Sequence, residues 1–199
     1  MPRRLVLTLT ALVWVAGFLI LRLRGSWVPL AVLASVLAMS VAARDHQLRE
    51  LLVPSPSRLL WGLLAAGAMI GTTYLLYPPA AQALPGFARA TAGLYALLSA
   101  KQLPGAVAVL LICATATAEE VLFRGRLLEG AGAPWRNYAL ATAFYALLHL
   151  GSGSFTLVAI ALVCGAFWGG LRVLSGSLVP SIVAHVLWDL SILVIHPLV

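Results

Sequence analysis

What most constrains this chain is a succession of apolar runs, each near the length a helix needs to cross a bilayer. Short polar or Gly/Pro breaks separate them. A crossing takes ~20 apolar residues, with ~17 as the lower end. Leu5–Leu21 and Trp27–Ala43 form a hairpin closed by Arg22-Leu23-Arg24-Gly25-Ser26. A polar loop, Arg44 to Glu50, follows and ends at Pro54-Ser55-Pro56-Ser57. Leu59–Tyr77 is a third span, stopped by Pro78-Pro79. Phe87–Ala100 is apolar on one side and holds Arg89, which suits an interfacial or half-buried helix better than a crossing. Ala106 to about Gly130, Tyr138–Leu150, Phe155–Leu171 and Leu178–Val199 complete the series, with Pro180 near the last start, where a missing N–H costs least.

The expected fold is therefore all-α: a polytopic transmembrane bundle of about seven spans plus that one helix. A chain that is 62% hydrophobic and 10% charged has more apolar sequence than a soluble core of this size consumes. No strand-like alternation persists, which argues against a barrel. The net charge of +7 does not mark a nucleic-acid binder, because the basic residues come in ones and twos beside apolar runs, as topology signals do. With the N-terminus cytoplasmic, the inner segments hold Arg3, Arg4, Arg44, Arg49, Arg58, Arg124, Arg126, Arg136 and Arg172. The outer ones hold Arg22, Arg24, Arg89 and Lys101, which favours N-in and C-out. The first run lacks a small-x-small cleavage site before Arg22, so it is read as a span rather than a signal peptide. Cys113 and Cys164, both inside apolar runs, read as packing residues.

Against this background Glu119 and Glu120 stand out, because they continue an apolar helix with no breaker before them. A charged residue at mid-membrane costs ~2.5–3.5 kcal/mol on the insertion scale and is by default a functional candidate. Glu120 and Arg124 are spaced i,i+4 with the acid first and can pair on one face, leaving Glu119 about a quarter-turn away without a local cation. His185 and Asp189 share that spacing, so the carboxylate can orient the ring. At ~1.5 Å per residue, Glu119 and His149 each lie ~20 Å from the turn between their helices. His185 and Asp189 lie ~12–18 Å from the opposite loop. Four polar groups from three helices thus fall near one level.

A carboxylate withdrawn from water is a stronger base. One histidine can hold the same water and a second can donate to an oxyanion. Those parts suit hydrolysis of an acyl bond by activated water. Ser152 and Ser154 lie in a Gly-Ser turn and read as loop residues, His196 as a surface histidine, and Arg126 and Glu129 as partners of each other.

At these residues the sequence resembles the CPBP family of intramembrane glutamic endopeptidases, which includes type II CaaX prenyl proteases and bacteriocin-processing or immunity (Abi-like) members. The family motif EExxxR corresponds to Glu119-Glu120-Val121-Leu122-Phe123-Arg124, FxxxH to Tyr145-Ala146-Leu147-Leu148-His149, and HxxxN to His185-Val186-Leu187-Trp188-Asp189. The resemblance covers residues 106–199, dividing one membrane domain into N-terminal helices (1–104) and a catalytic core (105–199). It implies Glu119 as general base, His149 as helper for the water, and His185 with Asp189 at the oxyanion. Glu120, Arg124 and Tyr145 would support them. No metal or other cofactor is implied, and the implied partner is a membrane-anchored protein or peptide. Tyr145 departs from the usual Phe and adds a hydroxyl. Asp189 stands where Asn is common, and an ionised carboxylate would repel an oxyanion that an amide would bind.

The alternatives are a zinc hydrolase using Glu119, His149, His185 and Asp189, which lacks an HExxH helix; a proton-coupled carrier, which would show inverted repeats; and a non-catalytic immunity protein. Twelve arginines to one lysine suggest a high-GC bacterial host and hence an inner membrane. In such a host, processing of C-terminal sorting signals is the expected role.

Overall fold

The computed structural model describes residues 1–98, 103–128 and 134–199. These form nine α-helices and, among the described residues, no strand. The helices are α1 (Arg3–Arg24), α2 (Val28–Ala43), the short α3 (His46–Leu51), α4 (Pro56–Ala83), α5 (Pro85–Leu98), α6 (Gly105–Glu119), α7 (Pro134–Leu148), α8 (Phe155–Ser175) and α9 (Val179–Leu190). A π-helical stretch, Glu120–Leu127, prolongs α6, and another, Ser191–Ile195, prolongs α9. A 3-10 turn, His149–Ser152, follows α7.

Local chemistry sets the helix ends. Side-chain oxygens of Asp45, Ser55 and Ser154 accept the N–H groups of Leu48, Arg58 and Leu157 at 3.1, 3.3 and 3.2 Å, capping α3, α4 and α8. Gly25 and Gly176 end α1 and α8 with φ of 64°, a left-handed conformation that a Cβ would strain. Pro180 sits in the first turn of α9, where its missing N–H has no helical partner to lose.

Among the described residues four stretches are long and apolar enough to cross a membrane: Arg3–Arg24, Pro56–Ala83, Gly105–Leu127 and Phe155–Ser175. Val28–Ala43 and Val179–Ile195 are apolar but shorter. Leu12, Leu64, Leu75, Val163 and Leu174 point outward on these helices, an arrangement that suits lipid rather than water. The chain is an integral membrane protein.

Several boundaries differ from the sequence reading. The Pro78-Pro79 pair does not stop the third span, because α4 runs through both prolines to Ala83. Each proline removes an N–H and crowds the previous turn, but both are exposed, so the loosening meets no packed neighbour. The polar loop after Ala43 contains α3, nucleated by its Asp45 cap. The helix expected over Phe87–Ala100 is α5; it buries Thr91 and Leu94 and exposes Arg89, while 99–100 lie outside the described residues. The helix expected to run regularly from Ala106 changes to π geometry at Glu120, and Gly130 is not among the described residues.

Two apolar clusters make the interior. One gathers Trp14, Phe18, Leu37, Leu122, Phe123 and Tyr145 around α1, α2 and the π stretch. The other gathers Ala66, Cys164, Trp168, Ala184, Trp188 and Ile192 between α4, α8 and α9. Helix α9 is tied at both ends. The Leu51 carbonyl accepts from Leu178 N (2.9 Å) and Ser177 Oγ (3.0 Å), and the Tyr74 and Tyr95 hydroxyls donate to the carbonyls of Ser191 (3.0 Å) and Ile192 (2.6 Å). Between those ties the Trp188 indole N–H reaches Thr73 Oγ1 at 2.9 Å. One face of α9 is thereby held in register against the glutamate pair.

Candidate active site

Glu119 is the last α-helical residue of α6 and Glu120 the first of the π stretch. A π turn bonds i to i+5, widens the helix, and occurs mostly as a short insertion within α-helices, frequently at functional sites. Here it places two adjacent carboxylates in different surroundings. Glu120 is fully buried; its Oε1 lies 3.3 Å from Arg124 Nη1 and accepts from His185 Nδ1 at 2.9 Å. Glu119 accepts from the Tyr145 hydroxyl on Oε2 at 2.5 Å, and the same oxygen lies 3.8 Å from His185 Nε2.

The His185 imidazole thus stands among three carboxylates, with Asp189 Oδ2 at 3.5 Å from Nε2. The Asp189 side chain keeps 20% exposure, the most of the three. Arg124 is 2% exposed, and its guanidinium lies 4.2 Å from the Tyr145 ring centroid. Gly165 makes room for both: a Cβ there would sit 2.9 Å from Arg124 Nη2 and from Tyr145 Cδ1.

His149 occupies the 3-10 turn. Its Nδ1 lies 2.8 Å from the Tyr145 carbonyl, which can only accept, so Nδ1 carries a proton and, in the neutral ring, Nε2 is the acceptor. The ring meets Tyr145 and Phe18 edge-on, at 4.5 and 5.4 Å between centroids.

Glu119, Glu120, Arg124, Tyr145, His185 and Asp189 therefore form one contiguous cluster. His149 joins it through Tyr145 rather than through direct contact with Glu119. Ser152 and Ser154 serve the turn, Ser152 Oγ donating to the His149 carbonyl at 2.7 Å. His196 stacks on Tyr74, and Cys113 and Cys164 are both free thiols. The expected Arg126–Glu129 pair lies outside the described residues, because Glu129 does; Arg126 reaches Asp45 Oδ2 (3.4 Å) and the Met1 carbonyl (2.8 Å). Among the described residues no three His, Cys, Asp or Glu side chains are arranged to hold a metal ion.

Two contributors escaped the sequence reading. Trp168 lies flat on the His185 ring, 3.5 Å between centroids and 16° from parallel. The signal for it was the small residues Gly165 and Gly169 beside a tryptophan in an otherwise lipid-like helix. Phe18 lies outside the motif-bearing half and carries no polar mark, so nothing in the sequence pointed to it.

Comparison with known proteins places these residues in context. The family model for type II CAAX prenyl endopeptidase Rce1-like proteins matches residues 101–191, somewhat under half of the chain. The match supports the CPBP/CAAX protease family, a family of membrane proteases, and contains Glu119, Glu120, Arg124, Tyr145, His149, His185 and Asp189. No curated protein and no solved structure matches the chain significantly.

Proposed function

We propose that this chain, a CAAX-type membrane protease by the match of its residues 101–191, is an intramembrane endopeptidase in which Glu119 activates the attacking water. The observation that carries the reading is the division of labour in the glutamate pair. Glu120 is committed to Arg124 and His185, whereas Glu119 keeps one hydrogen bond, from Tyr145, and faces His185 at 3.8 Å. Water placed between Glu119 and the free Nε2 of His149 loses a proton to Glu119 as its oxygen attacks the scissile carbonyl. The developing oxyanion takes a hydrogen bond from His185 Nε2–H. When the C–N bond breaks, Glu119 returns the proton to the departing amine.

For that task His185 must carry a proton on each nitrogen. Three carboxylates face its ring nitrogens, Glu120 at Nδ1 (2.9 Å) and Asp189 and Glu119 at Nε2 (3.5 and 3.8 Å), and that arrangement matches the demand of an imidazolium. Asp189 acts through His185 instead of touching the oxyanion. No cofactor enters the scheme.

The substrate is a membrane-anchored protein or peptide, cut near its membrane-proximal C-terminal region in a sorting role. The proposed setting is a bacterial inner membrane, with about seven crossings and the N-terminus cytoplasmic, supported by the basic residues gathered toward that side. The test compares C-termini of membrane proteins in cells making the native chain or Glu119→Gln at equal levels. Shortened C-termini present only with the native chain are expected. Identical C-termini in both would remove the protease reading.

A further inference from the structure

Trp168 stands 2% exposed on α8, within the second apolar cluster and with its indole face against His185. The edge of His185 is surrounded by charge: Glu119 and Glu120 from the α6–π junction, Asp189 from α9, and Arg124 one turn beyond, with the Tyr145 hydroxyl on Glu119. Those groups fix where the N–H bonds point but leave the ring free to tip about the line through them. A flat indole at 3.5 Å and 16° removes that freedom. An indole face also carries negative charge density and attracts a cation, most strongly where water is excluded. Trp188 packs edge-on against Trp168 at 5.9 Å, backing the indole, and is itself hydrogen-bonded to Thr73.

We propose that Trp168 is a positioning residue for the reaction: its indole face holds His185 as an imidazolium, in the plane that gives Nδ1 to Glu120 and leaves Nε2 for the reacting carbonyl. The proposal rests on the protease reading above but is tested without substrate. Protein in lipid nanodiscs is labelled with 15N-histidine, and the His185 signals are assigned by their loss in His185→Gln. The nitrogen shifts then give the ratio of doubly to singly protonated ring at neutral pH.

Trp168→Leu, which fills space without a π face, is expected to lower that ratio about tenfold, and Trp168→Phe to lower it less. Fluorinated tryptophans incorporated at position 168 keep the shape and withdraw electrons from the face. They are expected to lower the ratio stepwise with each added fluorine, whether or not Trp168→Leu folds. A ratio indifferent to fluorination overturns the proposal, whatever cleavage assays show. On substrate, the account expects kcat to fall with the ratio while KM stays within about twofold. A change confined to KM would contradict it.

Discussion

The two sides of the buried polar cluster are built to opposite specifications. On one side Glu120, Arg124 and the Nδ1 edge of His185 are locked together, with both charged side chains of the i,i+4 pair almost wholly buried. On the other, Glu119, Tyr145, Asp189 and the Nε2 edge of His185 are joined by one short hydrogen bond and two longer approaches, and Asp189 reaches the surface. On the first side opposite charges face each other at 3.3 Å, with Glu120 Oε2 and both Arg124 Nη atoms buried and making no hydrogen bond, so removing either partner is costly. The second retains acceptor capacity that pairing has not consumed. Adjacent, chemically identical residues thus stand in different surroundings, one on each side of the change from α to π geometry.

The contrast can be broken most forcefully from its locked side. Glu120→Gln leaves Arg124 buried without its counter-charge, and a loss of about 3–5 kcal/mol is expected, read as a drop in unfolding midpoint in detergent or nanodiscs. Wild-type stability in that variant would show the pair is not what holds the helix. Tyr145→Phe addresses the reactive side. Removing one donor to a carboxylate is worth about 1.5–3 kcal/mol of positioning, so a roughly tenfold or greater loss of kcat is expected, with the unfolding midpoint nearly unchanged. Equal losses of stability and rate would instead make Tyr145 a packing residue. The smallest effect belongs to Asp189→Asn. An amide keeps a contact to His185 and can donate directly to an oxyanion, so cleavage within about threefold of the native rate is expected. A hundredfold loss would mean that the Asp189 charge itself takes part.

Much of this arrangement was legible because helical spacing is rigid. The i,i+4 pairs Glu120–Arg124 and His185–Asp189 are both realised, and the extra hydroxyl of Tyr145 reaches the cluster, where it meets Glu119. The change from α to π geometry at Glu120 left no trace, since it shifts backbone hydrogen bonds without demanding a Gly or Pro. The prolines at 78 and 79 misled because their cost depends on whether the outer side of the helix is packed, which composition does not reveal. The partnership of Arg126 with Asp45 spans distant segments and follows from how α1, α3 and the π stretch meet. Phe18 was invisible for a related reason, since an apolar residue in an apolar helix carries no mark of which neighbour it faces, whereas Trp168 had only its flanking glycines to betray it.

The central claim is most directly tested by measuring cleavage and unfolding midpoint side by side for Glu119→Gln and Glu120→Gln, in nanodiscs with a substrate identified from the C-terminal comparison. The account predicts that Glu119→Gln loses at least a hundredfold in kcat while unfolding within a few degrees of the native protein, whereas Glu120→Gln is the variant that melts early. Cleavage surviving in Glu119→Gln, or an equal collapse of stability in both, would contradict it.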